Sequence, residues 1–115
     1  MLYSLTFENS EVLASSLEFL TVFVDTLPAE LRSDLRTLVK YLLKLTKVNS
    51  SNSNTIKVRV LSLRLLDLIS KIYDDAELLP IKQTVLNELD DALDDNKKYV
   101  RKMAVHCRNQ WFTIN

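Results

Sequence analysis

The stretch Lys57-Val58-Arg59-Val60-Leu61-Ser62-Leu63 decides the fold, because its pattern occurs three times along the chain. Tyr99-Val100-Arg101 with Ala104-Val105 repeats it downstream, and Glu11-Val12 with Ser16-Leu17 repeats it upstream. Val12 and Val58 are 46 residues apart, and Val58 and Val100 are 42 apart. Each valine is followed four residues later by Ser or Ala, one turn along a helix face, where a small side chain lets a neighbouring helix come close. Apolar residues extend each start into a helix: Leu13, Leu17, Leu20, Val24 and Leu27; Leu61, Leu65, Leu68 and Ile72; Val100, Ala104, Cys107 and Trp111. Between them lie two more segments of the same stepping, Leu31, Leu35, Leu38, Leu42 and Leu45, then Ile81, Val85, Leu89 and Leu93. The alternation that marks strands is never sustained, so the chain reads as all-α.

Paired helices recurring every roughly 40–47 residues have the period of HEAT and armadillo arrays. Asp95 with Arg101 six residues on is the strongest single instance, since HEAT repeats commonly place an Asp and an Arg at that spacing to link neighbours. The middle repeat keeps Arg59 but has Ser53 at the Asp position, and the first keeps neither. The expectation is one domain, 1–115, forming a fragment of a HEAT/armadillo-type α-solenoid: a repeat over 9–47, a polar loop over 48–54, a repeat over 55–93 and a terminal half-repeat over 96–113. Residues 1–7, with Leu2, Tyr3, Leu5 and Phe7, read as the stub of a preceding helix, and the chain as a piece of something longer. A helical bundle without superhelical order is the alternative. Expected punctuation comes from Asn9-Ser10 as a cap, Pro28 at a first helical position, Asp74-Asp75 between the third and fourth helices, and Asp94-Asp95-Asn96 before the fifth.

Composition narrows the chemistry. The chain has 115 residues, 15 basic and 15 acidic, so it has no bulk field to hold nucleic acid or an anionic membrane. It contains no glycine, which removes dinucleotide fingerprints, P-loops and nucleophile elbows. No apolar run approaches the ~18 residues of a membrane span. One cysteine excludes an intrachain disulfide and a self-contained iron–sulfur site, and fits a reducing intracellular compartment. His106 and Cys107 are the only residues of their kinds. As helix neighbours they point about 100° apart and make neither a chelate nor a nucleophile–base pair. The carboxylates Glu88, Asp90, Asp91, Asp94 and Asp95 lack the ligand order and glycine turn of an EF-hand. No catalytic residue, metal or cofactor is expected.

The basic cluster Lys97, Lys98, Arg101, Lys102 and Arg108 is more informative, because its twelve residues contain no acid. It flanks an aromatic end, Trp111-Phe112, and Arg and Trp are favoured anchors of protein interfaces. Its readings are the solvated face of a capping helix, a docking surface for a protein, or a contact to nucleic acid. Lys57, Arg64 and Lys71 form a second basic line on the third helix and enlarge this surface if they share its groove.

The run Leu93-Asp94-Asp95-Asn96-Lys97-Lys98-Tyr99-Val100-Arg101-Lys102-Met103-Ala104-Val105, preceded by Leu78-Leu79-Pro80-Ile81-Lys82 and closed by Arg108-Asn109-Gln110-Trp111-Phe112, resembles the extreme C-terminus of the MMS-nineteen (Met-eighteen in yeast) family. Asn96 stands where that pattern has Lys. The likeness is sharp over about the last 35 residues and rests on repeat pattern alone before that. It implies a non-catalytic HEAT-repeat adaptor of the cytosolic iron–sulfur assembly targeting complex. The implied partners are a WD-repeat propeller subunit, a small scaffold subunit with a reactive cysteine, and apo iron–sulfur clients of DNA replication and repair such as the XPD helicase. The implied compartments are cytoplasm and nucleus, with no membrane and no direct nucleic acid. Lys97, Lys98, Arg101, Lys102, Arg108, Trp111 and Phe112 are the docking candidates. Arg101 has a second reading, as a structural link to Asp95, and Trp111 has one as a core residue. The alternative function is a helical nucleic-acid-binding module using the basic terminal helix.

Overall fold

A computed structural model describes residues 10–48 and 55–115. The expected stub 1–7, Asn9, Ser53 and most of the polar loop lie outside the described residues. Those described form α1 (Ser10–Thr26), a 3-10 helix (Pro28–Asp34), α2 (Leu35–Leu45), α3 (Ile56–Ile72), α4 (Asp75–Glu88), the single turn α5 (Asp90–Leu93) and α6 (Lys98–Phe112), with no strand among them.

Local chemistry sets most of these boundaries. Thr55 caps α3, its hydroxyl accepting from the Val58 amide at 3.3 Å. The Glu77 carboxylate reaches back to the Asp74 amide at 3.3 Å and ties the start of α4. Pro28 opens its helix without forfeiting a bond. The second helix nevertheless begins as 3-10, where Ser33 and Asp34 are residues that compete for backbone hydrogen bonds. Leu31 and Leu35 still reach the core. Pro80 is the sixth residue of α4 and has no amide to donate, so one bond of that helix is missing. The fourth helix also breaks at Leu89 rather than running through to Leu93.

Helix α3 lies at the centre, packed on α1, α2 and α6. This position changes one expectation. Leu61, Leu68 and Ile72 are only half-buried, while Val58, Ser62, Leu63, Leu65, Leu66 and Ile69 are buried. A helix with neighbours on three sides has no single apolar stripe, and the four-three stepping picked out only part of its inner surface. At the ends, Leu27 is exposed and Leu93 half-buried. The faces expected for α1, for α2 and for α6 are otherwise buried.

Around α3, the first helices of the pairs lie side by side, α1 on α3 and α3 on α6, while α2 packs on α3 and α4, and α4 on α6. First helices stack on first helices and second on second. The chain is an all-α, HEAT-like fragment, 35 × 28 × 18 Å in extent. Ser62 and Ala104, two of the small residues of the repeat pattern, are fully buried. The Ser62 hydroxyl is satisfied within its own helix by the Val58 carbonyl at 2.8 Å. No single helix among the described residues is long and apolar enough to cross a membrane. The bent pair Ser10–Thr26 and Pro28–Leu45 has the length and composition, but it turns its leucines into the core.

Candidate functional site

Helix α6 divides into an inner and an outer face. Val100, Ala104, Cys107 and Trp111 are completely buried. The Trp111 indole donates to the Leu66 carbonyl of α3 at 3.0 Å, so its polar atom is satisfied inside the fold. Trp111 is therefore a core residue and not a surface anchor. Its neighbour Phe112 is 63% exposed, with the Lys82 ammonium of α4 5.4 Å from the ring centre.

The acidic residue of the repeat pattern does not pair as expected. The Asp95 carboxylate lies against Arg59 of the preceding repeat, with Arg59 Nε 2.9 Å from one oxygen. Arg59 Nη2 donates to the other oxygen at 3.3 Å. That same oxygen accepts the Lys97 amide at 2.9 Å. Arg101 instead donates to the Asp95 backbone carbonyl at 2.8 Å. Asp95–Arg101 is thus a contact within one repeat, and the link between repeats is Arg59 to Asp95. The Arg in the middle repeat was the signal for it, and the carboxylate it faces belongs to the next repeat.

The remaining cations divide. Arg108 is half-buried, with Nε 3.6 Å from Asp90. Lys97, Lys98 and Lys102 are exposed, and no described carboxylate lies within ion-pair distance of them. On α3, Lys57 pairs with Glu18 of α1 at 3.3 Å and Lys71 with Asp67 at 3.0 Å. Only Arg64 joins α6, donating to the Tyr99 hydroxyl at 2.7 Å. The α3 line therefore does not form one groove with the α6 cluster. The acidic cluster is dispersed as well: Glu88 and Asp91 hold Lys47, Asp90 faces Arg108 and Asp95 faces Arg59. The Glu88 hydrogen bond holds Lys47 above the ordinary lysine range. No group of three or more potential metal ligands forms among the described residues.

Two further residues belong to the outer face. Tyr99 and Val105 are about half exposed. Rotation of 100° per residue places Tyr99, Val105 and Phe112 on the same broad arc as Lys98 and Lys102, which is how the sequence could have found them. The helix also carries its cations at the wrong end. Lys97 is the N-cap, Lys98 the first helical residue, and the first turn has no acid. A helix N-terminus has a partial positive charge, and each cation near it costs about 0.3–1 kcal/mol.

His106 is exposed, 3.5 Å from Asp67. Cys107 is buried, and desolvation, with a smaller contribution from Asp67, pushes its thiol far above the ordinary value of 9.0. Only the unfolded chain can then ionise this thiol near pH 9, so the Cys107 contribution to stability is lost as pH rises beyond that. Native protein should resist iodoacetamide and label fully in urea, while Cys107→Ala should flatten the loss of stability above pH 9. Rapid labelling of the native protein would place the thiol at the surface instead.

Comparison with known proteins places this arrangement. A family model described as RNAPII transcription regulator C-terminal matches residues 1–70, where the sequence alone offered only a repeat pattern. The chain is 33% identical over 107 residues, 93% of its length, to the MMS19 nucleotide excision repair protein homolog of Dictyostelium discoideum. It is 32% identical over 114 residues, 99% of its length, to the mouse homolog. It is 39% identical over 77 residues to the MMS19 nucleotide excision repair protein of Drosophila melanogaster, covering 67% of the chain. It spans only 9%, 10% and 8% of these three relatives. With similarity over nearly its whole length and a family model covering more than half of it, the chain belongs to the MMS19 family, as a C-terminal-type region of it.

Proposed function

We propose that this region is a non-catalytic docking unit, working in cytoplasm and nucleus, of an adaptor that helps deliver iron–sulfur clusters to apo-proteins of DNA replication and repair. In this reading the outer face of α6 holds the propeller subunit or the small reactive-cysteine scaffold subunit of the cytosolic targeting complex, and clients such as the XPD helicase are met by the whole assembly. One observation carries it. Lys97 and Lys98 stand exposed at the positive end of α6, exposed Lys102 follows one turn on, and the same outer arc carries solvent-facing Tyr99 and Val105 and, at the far end, Phe112. Cations at that positive end oppose helix stability, and a locally unfavourable choice of this kind is expected where a surface has a task besides folding. The names of the relatives, which speak of nucleotide excision repair, support the association with DNA repair and a nuclear role.

The test uses Lys98→Glu with Lys102→Glu, and separately Phe112→Ala. Glu at 98 lies in the first turn of α6, where an acid favours the helix, and Lys102 is exposed, so lost binding in the double variant does not mean lost folding. Co-purification with the propeller and scaffold subunits should be stoichiometric for the natural chain and weakened at least about tenfold by either change. Full binding by both variants would move the docking site off α6, and no binding by the natural chain would remove the adaptor role from this region.

A further inference from the structure

Helix α6 carries one kind of stepping on both of its sides. Val100, Ala104, Cys107 and Trp111 advance by four, three and four, and they are completely buried on the side that meets α3. Lys98, Lys102, Val105, Asn109 and Phe112 advance by four, three, four and three, and all five are exposed. At 100° per residue these five fall within about 40° of one line, a straight stripe roughly 21 Å long on the side away from the buried set. Stepping of this kind is the seam along which one helix lies on another. The first helices of the repeats already stack in this way, α3 with both α1 and α6 on it, whereas α6 has a first helix on its inner side alone.

The stripe is graded in chemistry. Its first part is Lys98 and Lys102, no described carboxylate lies within ion-pair distance of either, and α6 contains no acid. Its second part is apolar, with Val105 48% and Phe112 63% exposed. Asn109 stands between them, and a single polar residue within a helix seam fixes the register of the pair. We infer that an α-helix of a partner protein lies along this stripe, with carboxylates against Lys98 and Lys102 and apolar side chains against Val105 and Phe112. This helix is the docking element of the function proposed above, and its assignment rests on that reading. Charge complementarity calls for acids at one end only. Nucleic acid would need free cations along the whole stripe, but the second part has none, and the flanking Arg108 faces Asp90. A partner strand would need an open backbone edge, which a helix does not offer.

The test is made in the complex of the 115-residue chain with the propeller and scaffold subunits. Val105→Glu and Asn109→Glu, both at exposed positions, should each weaken binding about tenfold or more, with helicity unchanged by circular dichroism. His106→Ala and Gln110→Ala lie off the stripe on the same helix and should change binding less than about threefold. Benzoylphenylalanine in place of Val105, and separately of Phe112, leaves both lysines intact. On irradiation the two should crosslink to points about seven residues apart on one helical segment of one subunit. The acids of that segment should lie beyond the point reached from 105, away from the point reached from 112. A complex that forms but tolerates both glutamate variants overturns the partner helix and leaves the adaptor reading standing. Crosslinks that fall on loops, on strands or on a second copy of this chain do the same. Failure of the natural chain to form the complex overturns both.

Discussion

Replacing Arg59 by alanine is expected to lower the unfolding free energy by about 3–5 kcal/mol, because it leaves the Asp95 carboxylate buried without its cation. The two side chains are 6% and 1% exposed, and they join the repeat that starts with α3 to the one that starts with α6. Asp95→Ala should cost a similar amount, since it removes the buried carboxylate that faces the Arg59 guanidinium and also releases the Lys97 amide that begins the turn into α6. Replacing both together, Arg59→Met with Asp95→Leu, should recover part of the loss, as buried ion pairs often tolerate exchange for apolar groups of similar size. Urea unfolding followed by circular dichroism measures all three. A cost below about 1 kcal/mol for Arg59→Ala would show a pair that water screens as it does at a surface.

Trp111→Ala should be comparably severe, at about 3–5 kcal/mol. The indole is wholly buried where α6 meets α3, and alanine leaves a cavity there that close-packed neighbours fill only in part. Trp111→Phe keeps much of the volume but loses the donor to Leu66, and a smaller cost of about 1–3 kcal/mol follows. Domains of this size have about 5–15 kcal/mol in total, so the alanine variant should sit near the limit of folding. Trp111 is the only tryptophan in the chain. Its fluorescence should be blue-shifted in the native protein and should move to the red on unfolding, reporting the packing of α6 directly. Solvent-exposed emission from the native protein would contradict the placement.

The two residues teach opposite lessons about reading this chain. Trp111 shares its stepping with Val100, Ala104 and Cys107, so its burial was available from periodicity. Its aromatic character and place beside Phe112 pointed equally to a docking anchor. Periodicity tells which residues share a face, whereas the presence of α3 over that face decides that the face is closed. Asp95 had a partner of the right charge six residues away, and local spacing offered no reason to look further. The carboxylate went to Arg59 because stacking brings the start of α3 beside the turn before α6, a proximity between residues 36 apart in sequence.

The sequence by itself determined the helical class, the pairing of helices and the core faces of α1, α2 and α6. Each of these follows from interactions that repeat every turn along one chain. Only the tertiary structure decided that α3 is covered on three sides, that Lys57 pairs with Glu18 of α1, and that Lys40, Lys44 and Lys47 line a groove against α4. The physical reason is common to all three. A side chain's exposure and partners depend on which helices lie over it, and that is a property of the packed assembly rather than of any one helix.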